Sequence, residues 1–151
     1  MKNGVSVVEA IVEADIRWYE RSIRRLFGDE LEARSGQDPE VAVTSSFGIG
    51  AKNKNSHSTV IIKMRIDAQL DGADAAMEAA IQFGVGSDLD PDNQGHVADV
   101  KSFVDDFGGE YVLGVLRGAL ADATRSVGLP AVLLPFADLE VDDAIRREET
   151  F

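Results

Sequence analysis

Four aspartates in one short stretch are the side chains of this sequence best spaced to do chemistry. Asp88, Asp90, Asp92 and Asp99 stand at the first, third, fifth and twelfth positions of a loop of the kind that wraps calcium with oxygen ligands. The match breaks where the geometry is most demanding. Asn93 occupies the sixth position, where the sharp turn needs glycine, and Pro91 stiffens the loop. Gly95 replaces an apolar anchor, Asp99 is shorter than the usual bidentate glutamate, and the pattern before the loop is that of a strand. The stretch reads as an acidic turn that caps a following helix, so no metal is expected. His57 lies in a Lys-, Asn- and Ser-rich segment and His96 in the acidic turn, with no second histidine at zinc spacing and no Ser/Asp pair at triad spacing. The absence of cysteine removes thiolate metal sites, a cysteine nucleophile and a disulfide framework. Phe47-Gly48-Ile49-Gly50 lacks the Lys-Ser/Thr ending of a phosphate loop, and its glycines read as bends of a strand edge. No residue pattern argues for an enzyme or a cofactor.

Composition narrows the partners. A chain of 151 residues, 44% hydrophobic and 28% charged, can bury the core of one domain. Its net charge of −12 repels phosphate backbones. Arg17, Arg21, Arg24 and Arg25 form a basic cluster, but Glu13, Asp15 and Glu20 interleave with it, as on a solvated, salt-bridged face. Nucleic acid is therefore not an expected partner. No run approaches the roughly 20 apolar residues of a membrane helix, and Glu9, Glu13 and Asp15 interrupt the N-terminal stretch where a signal core would lie. A cytoplasmic protein without membrane insertion is the expectation.

The elements that would position these residues follow from periodicity. Val41, Val43, Phe47 and Ile49 alternate with Ala42, Thr44, Ser46 and Gly48, and Val60, Ile62, Met64, Ile66, Ala68 and Leu70 alternate with polar residues. After Asp71-Gly72, a hairpin signal, Ala73, Ala75, Met77, Ala79, Ile81, Phe83 and Val85 continue the pattern, predicting three antiparallel strands in succession. Residues 51–58 read as a hairpin loop. Val97, Val100, Phe103, Val104 and Phe107 recur at helical spacing, and Gly108-Gly109 reads as the stop of that helix. A second helix from about Glu110 carries Val112, Leu113, Val115, Leu116, Ala119, Leu120, Ala123 and Val127, a stripe wide enough for two partners, and Gly114 and Gly118 would let another backbone approach. That second partner is either the first helix or another subunit. The N-terminal residues fit two patterns. Val8, Ile11, Val12, Ile16, Tyr19, Ile23, Leu26 and Phe27 suit a helix, whereas Ile16 and Trp18 between Asp15, Arg17 and Glu20 suit a strand.

Tyr111-Val112-Leu113-Gly114-Val115-Leu116-Arg117, followed by Gly128-Leu129-Pro130 and Leu133-Leu134-Pro135, resembles the helix-and-lid signature of the SecB family of export chaperones. The run Ala14–Leu26 is similar to the first strand of actinobacterial-type SecB-like proteins, which favours strand there and makes residues 28–39 a crossover loop. Where the family pattern has proline, an aromatic and glutamate, this chain has Gly114, Val115 and Gly118, while Arg117 is retained, as in a divergent member. The resemblance implies a single α+β domain over residues 1–151, with loosely ordered ends at 1–13 and 140–151. It implies a four-stranded antiparallel sheet with two or three helices on one face, assembled as a homotetramer (a dimer of dimers) that holds unfolded polypeptides without ATP.

By position, the client-binding candidates are Trp18, Met77, Phe103, Phe107, Tyr111, Leu133 and Phe136, and the oligomer-interface candidates are Gly114, Arg117, Gly118 and Ala121. In the family, docking on the SecA motor uses acidic side chains on the exposed sheet face. Here that face is expected to show Arg17, Arg21, Lys63 and Arg65 beside Asp67, Asp74 and Glu78, so a chaperone dedicated to a toxin–antitoxin pair stands level with an export factor. Two other classes remain: a structural or assembly protein using the helix at 110–127 as a permanent seam, and a calcium-modulated module resting on residues 88–99 alone.

Overall fold

The computed structural model describes residues 7, 10–50, 52, 54, 55 and 57–130, and the backbone of residues 141 and 142. The elements in chain order are β1 (Ile11–Arg25), α1 (Gly28–Arg34), β2 (Glu40–Gly50), β3 (Ser58–Leu70), β4 (Ala73–Val85), α2 (Gln94–Phe103), a π-helical turn (Val104–Gly108), α3 (Gly109–Ser126) and β5 (Val141–Asp142). The sheet order is β1-β4-β3-β2-β5. The first four strands are antiparallel neighbours, while β5 runs parallel to β2 and meets it at Val43 and Thr44. The class is α+β, with a four-stranded antiparallel sheet as its main body and α2 and α3 on one face.

Alternation explains the core. Val60, Ile62, Met64 and Ile66 of β3 and Met77, Ala79, Ile81 and Phe83 of β4 point to the helix side, where they meet Val100 and Phe103 of α2 and Val112, Leu116 and Leu120 of α3. Each such aliphatic or aromatic side chain stabilises the fold by about 1.5–3 kcal/mol relative to exposure. Phe83 and Phe103 meet edge to face with centroids 5.3 Å apart.

The N-terminal ambiguity resolves as strand: β1 runs for 15 residues along β4. Its helix-like spacing of apolar residues comes from two bulges. Val12 and Tyr19 are each extra residues in the register, so the alternation skips a step at both points. Trp18 therefore pairs with Ala79 and Glu20 with Glu78, which turns Arg21 to the helix side opposite Met77. The expectation of Arg21 on the exposed sheet face is corrected accordingly.

Three further expectations change. The crossover after β1 contains the short helix α1, fastened by Arg34, whose Nη1 donates to Leu70 O (3.1 Å) and to Asp74 Oδ1 (2.9 Å). The sheet gains β5, a two-residue strand whose length is too short for any period to register. Finally, Gly108-Gly109 does not stop a helix. The Gly109 N–H donates to Val104 O five residues back, and a Cβ at Gly109 would lie 2.8 Å from that same carbonyl. At Gly108 a Cβ would lie 2.5 Å from Ile62 Cδ1. The glycine pair lets α2 pass into α3 through a π turn pressed onto β3.

Candidate functional site

The helix side of the sheet is incompletely covered. α3 crosses β4 and β3 and leaves the helix-side row of the edge strand β1, namely Ala14, Ile16, Trp18, Arg21 and Ile23, along an open flank. At one end Tyr111 touches Phe83 with ring centroids 6.0 Å apart, and Phe83 lies opposite Ala14. At the other end Arg21, Ser22, Ile23, Met77, Ala119, Asp122, Ala123 and Ser126 line a cleft of about 290 Å³ between β1 and α3. Arg25 Nη1 closes that end by donating to Val127 O at 2.8 Å.

The groove between these ends has apolar walls in contact with solvent. Ile16 is 45% exposed, Tyr111 57% and, one turn earlier, Phe107 42%. Trp18 is half-buried, with the Arg21 guanidinium 4.5 Å above its ring. From Tyr111 to Ser126 an α-helix rises ~22 Å, the reach of about seven extended residues. The groove has its lining hydroxyls bonded within the chain, Ser22 Oγ donating to Glu20 Oε1 (3.2 Å) and Ser126 Oγ to Ala123 O (2.6 Å). It offers apolar contact along a line, with Arg21 and Asp122 as charged points.

Toward the β3–β4 turn the opposite sheet face is polar and internally paired, whereas Thr59, Ile61, Ala80 and Gln82 toward its other end are buried. Arg65 contacts Glu20 (2.6 Å), Asp67 (2.9 Å) and Glu78 (3.8 Å). Hydrogen bonding from Asp67, then Glu20, raises its pKa above the ordinary arginine value. Lys63 sits 4.5 Å over the Tyr19 ring, and Arg24 bridges Glu30 (2.9 Å) and Asp74 (3.1 Å). In the acidic turn, Asn93 Oδ1 accepts from the N–H groups of Gly95 and His96 and caps α2, and Asp90 N–H donates to His96 Nδ1 at 3.0 Å. Asp88 pairs with Lys52 at 3.3 Å. Among the described residues no group of three or more His, Cys, Asp or Glu side chains converges as metal ligands would.

No family model matches the sequence, and no curated protein matches it. The structure is similar to the SecB-like chaperone Rv1957 of Mycobacterium tuberculosis, solved in complex with a ChAD peptide from the Rv1956 HigA1 antitoxin. That likeness has a TM-score of 0.61 and 14% sequence identity, and covers 89% of this chain and 93% of the other. The fold is SecB-like. A protein of unknown function from Streptococcus agalactiae aligns with a TM-score of 0.42 and 11% identity over 82% of this chain and 98% of that one.

Within this SecB-like fold the residues singled out from sequence separate. Trp18 lies in the helix-side row of β1, Tyr111 stands on Phe83 at one end of the groove and Met77 lines its cleft, while Phe107 is exposed in the π turn one turn before Tyr111. Phe103 is buried behind Phe83, a core side chain with no surface in the groove. Leu133 and Phe136 lie outside the described residues, as does the expected lid segment Leu133-Leu134-Pro135. On α3, Gly114 and Gly118 are exposed, with no atom within 4 Å of where a Cβ would be, Arg117 is half-buried, and Ala121 is buried. Ile16, Ile23, Phe83 and Ala119 join the groove although sequence reasoning did not select them. The β1 register decides their side, and only the Tyr19 bulge makes Ile16, Trp18 and Ile23 neighbours on one face. Among the described residues no helix is long and apolar enough to cross a membrane.

Proposed function

We propose that this chain is an ATP-independent molecular chaperone, a holdase that binds unfolded or nascent polypeptide in the groove between β1 and α3. One observation carries the proposal: an apolar row of Ile16, Trp18, Phe107 and Tyr111 remains in contact with solvent beside a well-packed core. Covering each 100 Å² of such surface with client side chains contributes about 2.5 kcal/mol before ordering costs, and the contact is non-directional, so many sequences suffice. The proposed contact residues are Trp18, Met77, Phe107 and Tyr111, extended by Leu133 and Phe136.

The SecB-like fold supports this reading, and the antitoxin peptide carried by the mycobacterial protein favours a dedicated toxin–antitoxin client over general export. The outer sheet face points the same way. Arg65 is engaged with Glu20, Asp67 and Glu78 and Lys63 with Tyr19, so the face mixes both signs and offers no uniformly acidic dock for SecA. We assign the protein to the cytoplasm and its working form to a homotetramer, with Gly114 and Gly118 on the face that a second subunit approaches. The bare surface at those glycines also favours a second reading, a structural protein whose α3 is a permanent seam.

Light scattering of a denatured test protein diluted into buffer separates the two. Suppression of aggregation without ATP, reduced by Ile16→Asp and Tyr111→Asp, is expected of the holdase. A stable oligomer that leaves aggregation unchanged would replace it with the structural reading.

A further inference from the structure

In a regular strand, residues three apart point to opposite faces, so Trp18 and Arg21 would not meet. The extra residue Tyr19 shifts the register between them, and the Arg21 guanidinium stacks 4.5 Å above the Trp18 ring at the apolar groove. Bulges that re-aim a side chain in this way recur at binding sites. The arginine delivered there is bonded unlike its neighbours. Arg24 and Arg34 pair with Asp74, Arg65 with Glu20 and Arg125 with Asp122, and Arg25 donates to Val127 O. Arg21 has no carboxylate partner among the described residues. The other polar groups lining the cleft are satisfied: the Ser22 and Ser126 hydroxyls donate within the chain, and Asp122 accepts from Arg125 Nη2 at 2.6 Å. Stacking fixes the guanidinium plane on the indole and leaves its N–H fork, which matches a carboxylate, for a ligand.

We propose that Arg21 is a specificity-determining residue of the groove, which pairs with the side-chain carboxylate of an aspartate or glutamate in the client while the apolar residues on either side of that acid cover Trp18 and enter the cleft on Met77. The inference rests on the holdase reading and names the class of client segment the groove takes. Along an extended segment, side chains on one face recur about every 6–7 Å, the spacing that also separates Arg21 from Ile23 on β1. An acid held at Arg21 therefore sets the next side chain of its face beside Ile23, where Met77, Ala119 and Ala123 wall a cleft of about 290 Å³. Small-molecule sites run to about 300–1,000 Å³, so a cleft of this size suits side chains of a passing segment. The segment alternates apolar with polar residues and carries one acid in its apolar row. Charge acts differently at long and at short range. The net charge of −12 draws basic segments toward the protein, but a client lysine that reaches Arg21 meets a like charge. Arg21 thus fixes the register in which a client settles.

The probes are fluorescent peptides that alternate leucine with serine and carry glutamate, glutamine or lysine in place of the central leucine, read by anisotropy against the full chain. The glutamate peptide should bind about tenfold more tightly than the glutamine peptide, the worth of one charge-assisted pair, and the lysine peptide most weakly. Raising the salt concentration should narrow the gap between glutamate and lysine. Arg21→Gln should bring the glutamate and glutamine peptides to equal affinity, and Arg21→Glu should reverse the order in favour of lysine, which loss of a merely structural side chain would not do. The ranking on the unsubstituted chain needs no variant to fold. Equal affinity there for the glutamate and lysine peptides overturns the proposal, as does a glutamate preference that survives Arg21→Gln. If the peptides bind alike, or not at all, while aggregation of a denatured test protein is still suppressed, the Arg21 proposal fails and the holdase stands; if aggregation is not suppressed, the holdase reading itself fails.

Discussion

Alanine at two glycines of the same helical run should move stability in opposite directions. At Gly108 the added methyl would lie 2.5 Å from Ile62 Cδ1 and 2.8 Å from Phe103 Cε2, both belonging to fully buried side chains. Overpacking of that kind costs about 1–3 kcal/mol. At Gly114 no atom lies within 4 Å of the new methyl. Both replacements gain about 0.8–1 kcal/mol of helix propensity, so that gain cancels in the comparison and the difference isolates the clash. Gly114→Ala should thus stabilise by roughly 1 kcal/mol and Gly108→Ala should destabilise, leaving a gap of about 1–3 kcal/mol. With a urea m-value of roughly 2 kcal/mol/M, the midpoints followed by circular dichroism should differ by about 1 M. Coincident midpoints would refute the placement of the π turn against β3. A Gly114→Ala effect that grows or shrinks with protein concentration would instead report that a second subunit covers that glycine.

Other perturbations read other parts of the structure. Phe83→Ala removes the side chain that joins Phe103 to Tyr111 and should cost about 3–5 kcal/mol in chemical denaturation. Arg34→Ala loses the charged hydrogen bonds to Leu70 O and Asp74 and should cost about 1–2 kcal/mol, with faster amide exchange in α1. Arg24 holds the Glu30 carboxylate below its ordinary pKa, chiefly by hydrogen bonding. A depressed carboxylate supports the fold fully above its unfolded pKa and loses that support as pH falls through its folded value. The anchoring of α1 should therefore weaken in acid, and a carbon-detected titration of Glu30 should move upward in Arg24→Ala.

Much of the fold was legible because the sequences of β2, β3 and β4 alternate over most of their length, even though Ser46–Ile49, Ser58–Ile62 and Ala79–Val85 are buried on both faces. β1 was not legible from period alone. Each of its bulges shifts the alternation by one, and two shifts across 15 residues imitate a helical spacing of Ile11, Ile16, Tyr19 and Ile23. Only the similarity of Ala14–Leu26 to a known strand favoured the correct choice. The Gly108-Gly109 pair misled for a related reason: glycine both ends helices and permits close approach, and the nearness of Ile62, distant in sequence, decides between the two. In the groove, exposed aromatics such as Tyr111 could be selected by type, whereas Ile16 and Phe83 depend on register. Phe103 looked equivalent to Phe107 in sequence, and the π turn separates them, sending one into the core and the other into solvent.

The most direct test of client binding between β1 and α3 is site-specific photo-cross-linking to an unfolded protein, with benzophenone placed in turn at Ile16, Tyr111 and Phe27. Phe27 is 72% exposed and apolar but lies at the far end of β1, beside α1, and serves as the control. Cross-links at Ile16 and Tyr111 that require the client to be unfolded, with little at Phe27, are the predicted result. Equal yields at all three positions, or capture at Phe27 alone, would contradict a binding groove between β1 and α3.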